Sequence, residues 1–195
     1  MGERTSLTLS EGMGGMSENV FLNLKNRSHS ITADVEIPAQ GANGVVIAQA
    51  GRFGGWSLYL KDGKPTYCYN FLGLYEYKVA APTALAAGKA NIRMNFDYDG
   101  GGAGKGGMAN LLVNGEKVAS GRIERTQMAI FSADETAGVG VDDATPVTND
   151  YKERDNAFTG KILKVALDVK PIGAAIKAEA DAIKGESKVK KALSD

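Results

Sequence analysis

Asp134, Glu135, Asp142, Asp143, Asp150 and Asp155 all lie within one stretch of 22 positions. Hard cations such as calcium take roughly six to eight oxygens from carboxylates, amides and backbone carbonyls. Residues 132–157 show little hydrophobic periodicity. Connections of that length are uncommon in compact domains and are often functional or stiffened by metal. Asp134, Asp142, Asp143 and Asp150 are therefore the candidate calcium ligands. The spacing is not that of an EF-hand, and a solvated acidic loop fits the same residues.

A second set is aromatic: Trp56, Tyr59, Tyr67, Tyr69, Phe71, Tyr75 and Tyr77. Exposed rings stack on the apolar faces of sugars, so Trp56, Tyr59 and Tyr75 are candidate ligand contacts. Most of the set belongs instead in a core. The remaining features point away from catalysis. The glycine loop Asp99–Gly107, DGGGAGKGG, lacks the first glycine and the hydroxyl of a phosphate loop, and it leads into a strand. His29 is the only histidine, which rules out a histidine-rich zinc site, and no serine stands in a nucleophile elbow. Cys68 is the only cysteine, so no internal disulfide forms. Lying between two tyrosines, it reads as a buried, inert thiol.

The elements that must position these groups are strands. Trp56, Leu58 and Leu60 alternate with Ser57, Tyr59 and Lys61, the period of a strand with two distinct faces. Asp62-Gly63 supplies a hairpin turn, and the return strand sets Tyr67, Tyr69 and Phe71 against Thr66, Cys68 and Asn70. Val20–Leu24 reads as a strand, as do Ser30–Ile37, Gly44–Ala50, Tyr75–Val79, Asn91–Tyr98, Ala109–Val113, Lys117–Ile123 and Thr159–Val169. Asn114-Gly115 is a strong hairpin signal. Ile172, Ile176 and Ile183 then recur at helical spacing.

Hairpins in sequence with no helices between them predict an all-β fold, an antiparallel β-sandwich or jelly roll, with a short C-terminal helix. The expected organisation is an N-terminal arm or edge strand over 1–19, the sandwich over 20–170, and a helical tail over 171–195. The 195 residues carry 23 basic and 23 acidic side chains, so no basic face for nucleic acid is expected. No apolar run reaches membrane-spanning length. The first residues have no apolar signal core, which implies a cytoplasmic protein as given, or a periplasmic or secreted one if it is part of a longer enzyme.

Asn26–Pro38, NRSHSITADVEIP, and Gln49–Leu60, QAGRFGGWSLYL, resemble the C-terminal region of bacterial arylsulfatases of the alkaline-phosphatase-like sulfatase family. Asp62–Gly73, Tyr98–Gly107, Arg122–Glu135, Asp142–Tyr151, Phe158–Gly160 and Lys188–Leu193 extend the resemblance over nearly the whole chain. It implies a sandwich of the concanavalin or laminin-G type placed after a sulfatase catalytic domain. That family makes a formylglycine from a C/S-x-P-x-R motif and holds calcium with aspartates and an asparagine. Cys68 is followed by Tyr69, Asn70, Phe71 and Leu72, which departs from the motif at both its proline and its arginine. The resemblance thus implies a non-catalytic accessory domain that packs on a sulfatase catalytic partner and does not hydrolyse sulfate esters alone. The alternative is a stand-alone carbohydrate-binding, lectin-like module, with or without calcium.

Overall fold

The structure, a computed structural model, describes residues 4–171 and Ala182. Eleven strands run in chain order: β1 (Ser6–Leu9), β2 (His29–Ile37), β3 (Gly44–Gly51), β4 (Gly54–Lys61), β5 (Lys64–Phe71), β6 (Tyr75–Ala80), β7 (Gly88–Tyr98), β8 (Lys105–Val113), β9 (Glu116–Arg125), β10 (Ala137–Val139) and β11 (Lys161–Val169). They form a six-stranded sheet, β1-β11-β2-β7-β8-β9, and a five-stranded sheet, β10-β3-β4-β5-β6. Every pairing within the two sheets is antiparallel. The predicted antiparallel β-sandwich is therefore the observed fold. The helix expected after Ile172 lies outside the described residues.

The period-two pattern explains the layers. Ile31, Ala33 and Val35 of β2 meet Ile92 and Met94 of β7 and Leu111 of β8 on the inner face of the larger sheet. Trp56, Leu58 and Leu60 of β4 and Tyr67 and Tyr69 of β5 come from the facing sheet. Burying an aromatic or large aliphatic side chain contributes about 1.5–3 kcal/mol, so this shared layer dominates stability. The hairpin turns adopt the conformation their residues allow. Asp62 and Gly63 have φ of 52° and 72°, and Asn114 and Gly115 have 50° and 87°. Two consecutive positive φ values match the right-handed twist of the flanking strands.

Two expectations are corrected. Val20–Leu24 is not a strand. The chain turns at Ser17, whose carbonyl accepts the N–H groups of Val20 and Phe21, both at 3.0 Å. Phe21, Leu22 and Leu24 are buried, with the Phe21 ring 6.2 Å from Trp56. The irregular path plugs one end of the core, which a straight strand would not reach. Residues 132–157 are also not a solvated loop. They contain β10, which extends the smaller sheet, and a segment folded onto that sheet's outer face.

Candidate functional site

That segment covers Val45, Ala48, Tyr59 and Cys68 with Val147 and Tyr151. The covered residues are the outward-facing partners of the core set, so β3, β4 and β5 are buried on both faces. The Tyr59 and Tyr151 rings meet edge-on, with centroids 5.3 Å apart. Polar contacts fasten the segment at several points. Asn70 donates from Nδ2 to Val147 O at 2.8 Å and to Arg52 O at 3.0 Å. Thr148 Oγ1 donates to Glu76 Oε2 at 2.8 Å.

Asp150 sits at the centre of this lid. It accepts a hydrogen bond from Tyr59 OH, and its Oδ1 lies 2.8 Å from Lys61 Nζ and 3.1 Å from Lys78 Nζ. Burial pushes its carboxyl up, but the hydrogen bonds from Lys61, Tyr59 and Lys78 outweigh that and hold it at about 2. Asp142 has the opposite balance. It is buried, and its Oδ2 accepts from Val147 N at 3.0 Å and Tyr151 OH at 2.7 Å. Burial raises its carboxyl to about 6, against the two hydrogen bonds that lower it. Asn156 closes the segment on itself. Its Oδ1 accepts from Asp142 N at 2.9 Å, and its Nδ2 donates to Asp142 O at 3.0 Å and Lys152 O at 2.9 Å.

Between the segment and the β4–β5 turn lies a cleft of about 530 Å³. Asn43, Lys61 and Asp62 line one side, and Asp150, Tyr151, Lys152 and Arg154 line the other. Arg154 has a φ of 60°, an unusual value for a side chain of its size. Such outliers persist where the surroundings enforce them and cluster at functional sites. The rim of the cleft approaches β3 closely at Gly44. A Cβ there would stand 2.2 Å from Ala157 O, so only glycine fits.

The sequence candidates divide. Tyr59 and Asp150 both line the cleft, although Tyr59 is only 1% exposed. Trp56 faces the core at 1% exposure, its Nε1 donating to Gln49 Oε1 at 2.9 Å, so it is not a ligand platform. The reason is parity: Trp56 shares a strand face with Leu58 and Leu60. Tyr75 is 59% exposed, beside Leu72, Leu74 and Phe53 at the corner made by two hairpin turns, away from the cleft. The four proposed calcium ligands do not converge. Asp142 and Asp150 are engaged by protein donors, Asp134 is exposed, and Asp143 lies beside Gly14. Among the described residues, no group of three or more His, Cys, Asp or Glu stands close enough to hold a metal ion. Cys68 is buried as expected, and burial pushes its thiol up to about 12. Sequence reasoning missed Lys152, Arg154 and Asn43. Only their opposition across the cleft singles them out.

No family model matches the chain, and no curated protein matches it significantly by sequence. Solved structures do resemble it. The CBM40 module of the Ruminococcus gnavus IT-sialidase, bound to α2,6-sialyllactose, is 16% identical. The match covers 90% of this chain and 97% of the module, with a TM-score of 0.54. Domain 4 of AbnA, an extracellular GH43 arabinanase from Geobacillus stearothermophilus, in complex with arabinotriose, is 16% identical over 82% of this chain and 68% of that one, with a TM-score of 0.52. The leech intramolecular trans-sialidase is 12% identical, covers 91% of this chain and 27% of that one, and has a TM-score of 0.54. At such identities the likeness is one of fold. It overturns the sulfatase resemblance read from the sequence, because the similar structures are carbohydrate-binding modules and sialidases. The physical reason is plain in the segments that carried it. Asn26–Pro38 and Gln49–Leu60 are alternating strands with their turns, a pattern that any sandwich of this register demands.

Proposed function

We propose that this domain is a carbohydrate-binding module that takes a short glycan in the cleft beneath residues 147–157. The observation that carries this reading is the preorganised cleft of about 530 Å³, within the size range of small-ligand sites. Its groups suit sugar hydroxyls, which both donate and accept. Lys61, Lys152 and Arg154 donate, Asp62 accepts, and Asn43 does both. The contacts of Asp150 with Tyr59, Lys61 and Lys78 exist without ligand, which lowers the ordering cost of binding. The sugar-bound modules of similar fold support the same class of ligand. The donor set argues for binding without calcium, since Asp142 and Asp150 are already committed to protein groups.

The test is a glycan array screen of the purified chain, followed by calorimetric titration with the best binder and with sialyllactose and arabinotriose. Binding of a defined glycan, weakened at least about tenfold (about 1.4 kcal/mol) by Lys152→Ala or Arg154→Ala, supports the cleft. No retained glycan, or binding indifferent to both substitutions, overturns it.

A further inference from the structure

We propose that the outward face of the six-stranded sheet is a second binding surface, for a neutral linear polysaccharide laid across the strands. The register puts Asp168, Ser30, Asn95, Asn110 and Ser120 in one row over β11, β2, β7, β8 and β9. Their chain neighbours Leu167, Ile31, Met94, Leu111 and Ala119 belong to the core layer or pack against it, so the row itself faces outward. Adjacent strands lie about 4.8 Å apart, and the row therefore spans about 19 Å.

The row is the floor of a trough. Its serines and asparagines are short, and longer side chains stand on both sides. Arg93 and Leu112 follow Thr32 along one flank; Met108 and Arg122 follow Asp97 along the other. Hydrogen bonds fix the floor and walls in place. Ser120 Oγ donates to Asn110 Oδ1 at 3.0 Å, Asn110 Nδ2 to Asp97 Oδ2 at 3.3 Å, and Arg93 Nε to Thr32 Oγ1 at 3.0 Å. At the Asp168 end the trough deepens into a depression of about 350 Å³, lined by Ser28, Ser30, Asn95 and Lys170 as well, with His29, Phe96 and Val169 from the neighbouring positions.

The chemistry selects the occupant. Amides and hydroxyls both donate and accept, as sugar hydroxyls do. Asp97 and Asp168 in the depression balance Arg93 and Lys170, so there is no excess positive charge to hold a polyanion. The floor carries no apolar side chain, which does not suit the buried core of a protein interface. This surface lies on the opposite sheet from the cleft and does not depend on it.

Electrophoresis of the full chain through gels containing debranched arabinan, xylan, laminarin or chondroitin sulfate tests the proposal. Retardation by at least one of the three neutral polymers is expected. The double substitution Asn95→Leu/Asn110→Leu should raise the polymer concentration needed at least fivefold. Ser120→Arg, an exposed change that fills the trough, should do the same and serves if the double variant does not fold. The proposal is overturned if no neutral polymer retards the chain, or if chondroitin sulfate alone does. It is also overturned if retardation survives both variants, including the case in which only Lys152→Ala or Arg154→Ala lowers it.

Discussion

Asp142 and His29 titrate in opposition. Burial lowers the His29 imidazole to about 4 from an ordinary 6.5, with its Nδ1 3.0 Å from Arg27 O. The folded protein thus holds His29 neutral while the unfolded chain protonates below 6.5, so acidification from 6.5 toward 4 drains stability. Asp142, raised to about 6 from 3.8, binds its proton more readily when folded, so acidification from 6 toward 4 adds stability. Each slope reaches at most about 1.4 kcal/mol per pH unit, and over this window the two nearly cancel. Urea unfolding at pH 4.5 and 6.5 should show a small change in the unmodified protein. Asp142→Asn should become clearly less stable at pH 4.5, and His29→Gln clearly more stable; equal pH responses in all three would contradict the account. Asp150, held near 2, contributes stability that is present above 3.8 and lost below it. Calcium belongs to the same scale. With Asp142 and Asp150 already engaged, millimolar calcium should leave the melting temperature unchanged, because only a ligand bound by the folded state raises it. A rise removed by Asp142→Ala/Asp143→Ala would restore the four-aspartate site.

The long segment after β9 is an element in its own right, although it contains only three strand residues. Its apolar contacts through Val147 and Tyr151, and its polar ones through Asp142, Asp150 and Asn156, make it the outer wall of the smaller sheet. Gly44, the first residue of β3, is where that wall packs tightest on the sheet. Its φ is +99°, and Val45 N donates to Asn156 O at 2.8 Å. Gly44→Ala combines backbone strain with a clash against Ala157 O. A loss of about 2–3 kcal/mol is expected, read by denaturant unfolding, together with weaker glycan binding as the cleft wall shifts. A stability change within about 0.5 kcal/mol would mean that the segment yields freely.

At the scale of the whole molecule, two sheets share one core and leave two different polar surfaces: the cleft under the long segment and the trough on the larger sheet. The strands and both asparagine- or aspartate-glycine turns were legible because period-two alternation and positive-φ turn chemistry are local properties of neighbouring residues. Parity also marked which face of β4 and β5 is aromatic, but not that Tyr59 on the other face would be covered. Val20–Leu24 misled for the same reason. An apolar run has the same local look whether it extends as a strand or bends into the end of a core. The acidic residues were visible, yet their partners Lys61 and Lys78 lie 89 and 72 positions before Asp150 in the chain, and only folding brings them together. The sequence by itself determined an all-β sandwich with its hairpins, because each strand declares its two faces through its own side chains. The tertiary structure alone decided that Asp142 and Asp150 fasten the long segment to the smaller sheet. It also decided that Lys152, Arg154 and Asn43 face one cleft, and that Asp168, Ser30, Asn95, Asn110 and Ser120 fall in one row. Both depend on register between strands far apart in the chain, which no local pattern encodes.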